Sequence, residues 1–188
     1  MLKYIEEYAK YVEITGFRNV KIEANAEFLK AIRKEQQQNT AVQFFDAELV
    51  ATWQHLYFAV LNALMAFKNK RNISKNVAIE IMLYASAQRQ IRKAIDLIGV
   101  EPESANVAVV IIDESPSSVK SVLSAVSKRV GKETDETVLE FSKEKMLSIR
   151  RAFGISAKEL ETVLEKNNVE QALVDMVVER AALLSTQL

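Results

Sequence analysis

This sequence predicts an α+β fold: a small, largely antiparallel or mixed four-stranded sheet flanked by many helices, in a single domain spanning residues 1–188. Three observations carry that reading. Four short segments, 11–16, 41–45, 107–112 and 136–141, are enriched in β-branched or aromatic residues. Between them the periodicity is helical with little punctuation, since the 188 residues include only four Gly and two Pro. Strands and helices do not alternate as βαβα, which argues against a doubly wound parallel sheet.

The helices follow in order at about 25–37, 47–69, 76–86, 88–98, 116–130, 143–153, 156–165 and 169–185. Asp46 is placed as N-cap of the second and Asn76 of the third, and Ser156 opens the seventh with SAKE, a capping-box spacing. Gly99 and Gly131 stand where helices would end in left-handed geometry.

The helix from Ala47 overfills one apolar face. Leu49, Trp53, Leu56, Val60, Ala63, Leu64 and Phe67 form a stripe expected to face the sheet. Phe58, Leu61 and Met65 point the other way, and Ala59 with Ala66 leaves room for a helix to approach closely. The next helix, NVAIEIMLYAS, is apolar all round except at Glu80 and should run through the middle of the domain. On the last helix Val169, Leu173, Met176 and Leu184 read as core, while Val174, Val178 and Ala181 lie about half a turn away.

Composition excludes many chemistries. With no Cys there is no disulfide framework, thiolate metal site or Cys nucleophile. One histidine, His55, rules out an HExxH site, and the glycines at 16, 99, 131 and 154 are too scattered for a phosphate loop. No cofactor and no metal are therefore expected. Glu6 and Glu7 interrupt the first segment, so no secretion signal is expected there. The apolar run VAVVII falls far short of the roughly 20 residues that cross a bilayer. A cytoplasmic protein without membrane contact is the expectation.

Twenty-five Lys+Arg balance 25 Asp+Glu, and zero net charge argues against non-specific coating of nucleic acid. The balance hides an asymmetry. Residues 52–98 hold Lys68, Lys70, Arg71, Lys75, Arg89, Arg92 and Lys93 against Glu80 and Asp96, seven minus two or +5, leaving −5 elsewhere. The loop KNKRNISK and the segment SAQRQIRK bring phosphate-binding cations beside amides able to hydrogen-bond bases. From charge alone, a solvated loop followed by an ordinary helix start is the first reading of the same residues. A helix break at Ser86 and Ala87 would expose backbone N–H groups to an anion. Tyr84 reads as core or as a stacking platform. His55 and Glu80 read as buried structural groups, Glu80 paired with Arg89 or capped by His55, or else as an acid–base pair in a cleft.

The runs FFDAELVATWQHLYFAVLNAL, IEIMLYASAQRQIRKAIDLIGV, RRAFGIS and VEQALVDMVVERAAL resemble the kinase-binding subunit of the KEOPS complex, the PRPK-binding protein family, over about residues 41–185. The likeness is strongest to archaeal members, which carry Ser-Gly-x-Arg-Gln-Ile where this chain has SAQRQI. The N-terminal 40 residues match poorly. The resemblance implies a non-catalytic protein that binds the small kinase/ATPase of the complex and the 3′ CCA end of tRNA, meeting other KEOPS subunits indirectly. The complex attaches threonylcarbamoyl to the adenosine beside the anticodon. Ser86, Gln88, Arg89, Gln90 and Ile91 fall on the motif region, and Asp46, His55 and Glu80 on positions with architectural roles. Ala87 departs from the pattern, standing where the family usually has Gly.

Together these assign Lys68, Lys70, Arg71, Ser86, Gln88, Arg89, Gln90 and Arg92 to tRNA binding, and no residue to catalysis. Leu97, Ile98, Val174 and Val178 are assigned to a partner surface as apolar residues without assured internal cover. Two other classes stay open on the residues alone. One is a small hydrolase or transferase using Glu80, His55 and Arg89. The other is a generic helical interaction module, such as a DNA-binding helix pair from 156–185, though the acidic residues of that segment have the wrong sign for phosphate.

Overall fold

A computed structural model describes residues 1–20, 39–163 and 168–186. The helix expected over 25–37 lies outside the described residues. The chain divides into two compact units, one of residues 1–47 and 100–138, the other of 48–99 and 139–188.

The first unit is built on an antiparallel sheet of four strands in the order β1-β2-β4-β3: β1 Leu2–Ile5, β2 Lys10–Phe17, β3 Ala41–Asp46 and β4 Val107–Asp113. Three of these coincide with expected strands. β1 does not. It is an edge strand with only Ile5 buried, so it lacks the apolar alternation that marks a strand in sequence. β4 is central and buried along its whole length, which explains its unbroken apolar run. Helix α4, Pro116–Val130, packs over β4 and β2. Val119, Val122 and Val126 meet Phe17, Phe44, Val109 and Ile111 in the core beneath it. Ser115 is its N-cap, Pro116 its first residue, and Gly131 at φ 68° closes it in the expected left-handed geometry.

The strand expected at 136–141 is instead a 3-10 turn over Glu136–Leu139. Asp135 is the cause. Its carboxylate accepts from the Thr137 N–H at 3.0 Å, a local bond that competes with a strand ladder. The turn is pinned to β2, where the Asp135 N–H donates to the Gly16 carbonyl at 2.8 Å. A Cβ at Gly16 would collide with the Val138 side chain and stand 2.9 Å from the Val107 oxygen, so this close approach requires glycine.

The second unit is helical: α1 Trp53–Lys68, α2 Val77–Ser86, α3 Ile91–Ile98, α5 Lys143–Ala152, α6 Ala157–Val163 and α7 Val169–Leu183. Within it α1 packs on α2 and α7, α2 also meets α3 and α7, and α5 and α6 meet α7. The buried face of α1 is His55, Leu56, Ala59, Val60, Ala63, Leu64 and Ala66, directed at helices rather than presenting the whole expected stripe; Leu49, Trp53 and Phe67 are half-buried. α2 is buried at eight of its ten positions, in line with its all-round apolar sequence.

Several boundaries differ from expectation. α1 starts at Trp53 after the Thr52 N-cap, and Asp46 instead ends β3 and accepts a hydrogen bond from Ser104 Oγ at 2.6 Å. Gly99 leaves α3 in an extended conformation, φ −67° and ψ 160°, not left-handed. Asn76 caps α2 as expected, accepting from the Ile79 N–H at 3.1 Å. Ser156 and Glu159 exchange both bonds of a capping box, at 2.7 and 3.1 Å.

Candidate functional site

The SAQRQ segment is a helix-reversing turn. Ala87 sits at φ 52° and ψ 34°, its N–H donates to the Tyr84 carbonyl and the Gln88 N–H to the Leu83 carbonyl, both at 3.0 Å. This is the left-handed closure that favours glycine, made here by alanine at a strain of about 1 kcal/mol. It also sets the start of the next helix. Gln90 is extended and serves as N-cap without a side-chain bond, so α3 begins at Ile91 rather than near residue 88.

Glu80 anchors the loop that follows α1. Buried on α2, its carboxylate accepts from the Ile73 N–H at 3.0 and 3.1 Å and from the Ser74 N–H at 2.7 Å. Among the described residues no bond joins it to Arg89 or His55, the partners expected from sequence. Backbone donors of the loop after α1 satisfy the buried charge instead. The loop is further tied by the Arg71 N–H, which donates to the Ala66 carbonyl at 2.8 Å, with Lys70 at φ 55°.

These two clamps bring Arg71 and Arg89 to one cavity of about 390 Å³, lined also by Met65, Ala66, Asn69, Ile73, Tyr84 and Leu184 to Thr186. Both guanidinium groups are without an ion pair among the described residues, and the cavity brings the two positive charges together. Tyr84 is buried at its edge; burial, then the Glu80 carboxylate, raises its pKa, and Arg89 opposes the rise. The ring thus fills the core and presents only its margin to the cavity.

The other residues assigned to RNA fall differently. Lys68, Lys70, Gln90 and Arg92 are exposed but do not line this cavity. Arg92 lies 3.9 Å from Asp96 in an exposed pair one turn apart. Gln88 borders a second cavity of about 310 Å³ with Ala87, Phe153 and Arg180. Ser86 also borders it, but is buried and donates its hydroxyl to the Leu83 carbonyl at 3.1 Å.

His55 is fully buried. Its Nδ1 accepts from the Ala51 N–H at 3.3 Å and its Nε2–H donates to the Ala85 carbonyl at 2.7 Å, with the ring edge-on to Phe153. Burial lowers its pKa to about 4; the Ala85 carbonyl works against that shift and the Lys145 charge adds to it. Both ring nitrogens and both Glu80 oxygens are therefore engaged by backbone, which removes the free acid–base pair of the hydrolase reading.

Of the residues assigned to a partner surface, Ile98 and Val174 are buried, and Leu97 and Val178 half-buried. The exposed apolar residues of α3 are Ile91 and Ile95, 44% and 46% exposed. Their one-turn spacing was the signal in the sequence that singles them out. Among the described residues no group of three His, Asp or Glu side chains could hold a metal ion, and no helix is long and apolar enough to cross a membrane.

A family model described as kinase binding protein CGI-121 matches residues 17–185, reaching further toward the N-terminus than the resemblance over 41–185. A regulatory protein, Cgi121, of Methanocaldococcus jannaschii is 36% identical over 126 residues, 66% of this chain and 79% of the relative.

Proposed function

The chain belongs to the kinase-binding CGI-121 family, and on that premise we propose that it is a non-catalytic, cytoplasmic KEOPS subunit that docks on the complex's kinase/ATPase and holds the 3′ CCA end of tRNA. In this reading residues 1–188 act as one functional domain that supports threonylcarbamoyladenosine formation and performs no chemistry itself.

The observation that carries the RNA half is the pair of guanidinium groups, Arg71 and Arg89, brought to one cavity with no ion pair among the described residues. A three-nucleotide tail needs few contacts. Two arginines supply charge for phosphate and planar faces for bases, and stacking contributes roughly 1–3 kcal/mol per base. Zero net charge is then no obstacle, because binding depends on a local field.

The kinase half rests on family membership and on α3. Ile91 and Ile95 offer a small apolar ridge flanked by Arg92, Lys93 and Asp96, the composition of an interface core with a charged rim. Leu97, on the same helix, stays in this reading as its half-buried margin, and the half-buried Val178 of α7 stays a proposed partner contact.

The test compares binding of intact tRNA with tRNA lacking its CCA end. Tail removal is expected to weaken binding strongly, and salt to weaken the tail-dependent part with a slope of about −0.7 per neutralised phosphate. Equal binding of the two RNAs would sink the RNA half while leaving kinase docking intact.

A further inference from the structure

A second basic surface lies in the sheet-bearing unit, which carries none of the residues assigned to the RNA tail. One stripe of α4 carries Lys120, Ser124, Ser127 and Lys128, and the left-handed Gly131 turns the chain so that Lys132 and Thr134 form the facing wall. The groove between them measures about 620 Å³. None of the three lysines makes an ion pair among the described residues.

Beside the groove, residues 133–136 carry three carboxylates, Glu133, Asp135 and Glu136. The structure disposes of most of that charge. Asp135 is held by Arg18 at 2.7 Å, with Thr137 and the arginine keeping its pKa below the usual carboxylate range. Glu136 takes the Met1 ammonium at 2.7 Å. Among the described residues lining the groove, Glu133 is the one carboxylate against three lysines. Lys128 is also placed to complement the negative end of α4, but Lys120 is on its second turn, where the helix dipole gives no reason for a cation.

Resting on the tRNA reading above, we propose that this groove is a second RNA surface, taking backbone phosphates of the folded, double-helical part of the molecule rather than its single-stranded end. The chemistry separates the two. Single strands are gripped by stacking on aromatic rings or guanidinium planes, and among the described residues neither lines this groove. Lysine ammonium groups and serine and threonine hydroxyls are backbone donors that carry no base code. Lys120 and Lys128 stand about 12 Å apart along the helix axis, far enough to meet different phosphates.

The experiment uses the full chain and tRNA lacking its CCA end, titrated at several salt concentrations, with intact tRNA in parallel. The wild-type chain should retain salt-sensitive binding to the tail-less RNA. The triple variant Lys120→Gln, Lys128→Gln, Lys132→Gln should lose at least about tenfold of it and flatten its salt slope by up to about 2.7, while Lys→Arg at the same positions retains it. Unchanged affinity and slope in the glutamine variant overturn the proposal, as does the absence of any tail-less binding by the wild type at low salt. Loss of kinase binding with RNA binding intact would give the groove to an acidic protein surface and also overturn it. Failure of the tail reading looks different: intact and tail-less tRNA would then bind the wild type equally.

Discussion

The Nε2–H of His55 on α1 donates to the carbonyl oxygen of Ala85 on α2 at 2.7 Å, two residues before the left-handed Ala87 that turns the chain toward Arg89. A buried imidazole thus holds the end of α2, three residues before the candidate RNA contact Arg89. The neutral ring is required, because Nδ1 must accept the Ala51 N–H while Nε2 donates.

Stability should therefore fall in mild acid. The folded pKa of His55 is about 4 against an unfolded 6.5, so the unfolded chain binds the extra proton between those values. The contribution is complete above pH 6.5 and is lost as pH drops through 4, on the order of 3 kcal/mol across the window. Urea midpoints measured from pH 7 to pH 4 check this, and His55→Gln should remove the part of the slope that this residue contributes.

Ala87→Gly should stabilise the protein by about 0.5–1 kcal/mol, since glycine reaches φ 52° without steric strain. The rise in midpoint on thermal or denaturant unfolding should come with unchanged affinity for intact tRNA. A fall in stability would mean that the turn is not left-handed in solution.

Arg89→Glu places an anion where the cavity carries two cations, and Arg71→Glu does the same from the other wall. Each should weaken binding of a CCA-ended RNA at least about tenfold, with little change in unfolding midpoint because both side chains are exposed. Filter binding and circular dichroism on the same preparations separate the two effects.

Glu80→Ala should be among the most damaging single changes, costing about 3 kcal/mol or more, because it leaves the Ile73 and Ser74 N–H groups without their acceptor. Glu80→Gln keeps an acceptor oxygen and should lose less. If Glu80 positions the loop that carries Arg71, the glutamine variant should also bind the RNA tail more weakly at a temperature where it is fully folded.

Ile95→Glu, and to a similar degree Ile91→Glu, should cut affinity for the KEOPS kinase while leaving both the unfolding midpoint and tRNA binding near wild type, because both side chains project from α3 into solvent. Pull-down with the kinase, read beside tRNA binding, distinguishes a docking ridge from scattered surface residues.

Much of the fold is legible in local pattern. The Ser156–Glu159 capping box, the Asn76 cap and the strand at 107–112 depend on spacings of a few residues, and each forms as its residues dictate. The expected strand at 136–141 failed because Val138 and Leu139 are buried together in a turn governed by the Asp135 side chain, a competition that β-propensity does not register. Edge strand β1 was invisible for the opposite reason, having too little buried surface to leave a period.

Residue types and local spacing were enough to establish the α+β class, the +5 central segment and the family motif. Long-range packing was needed to sort the charges. Arg71 and Arg89 are 18 positions apart and share a cavity only because Glu80 clamps one loop and Ala87 reverses the other. Asp135 and Glu136 look like free anions in the chain and are neutralised by partners more than a hundred residues away. The free energy of a charge depends on what faces it across the fold, and neighbours along the chain do not reveal that.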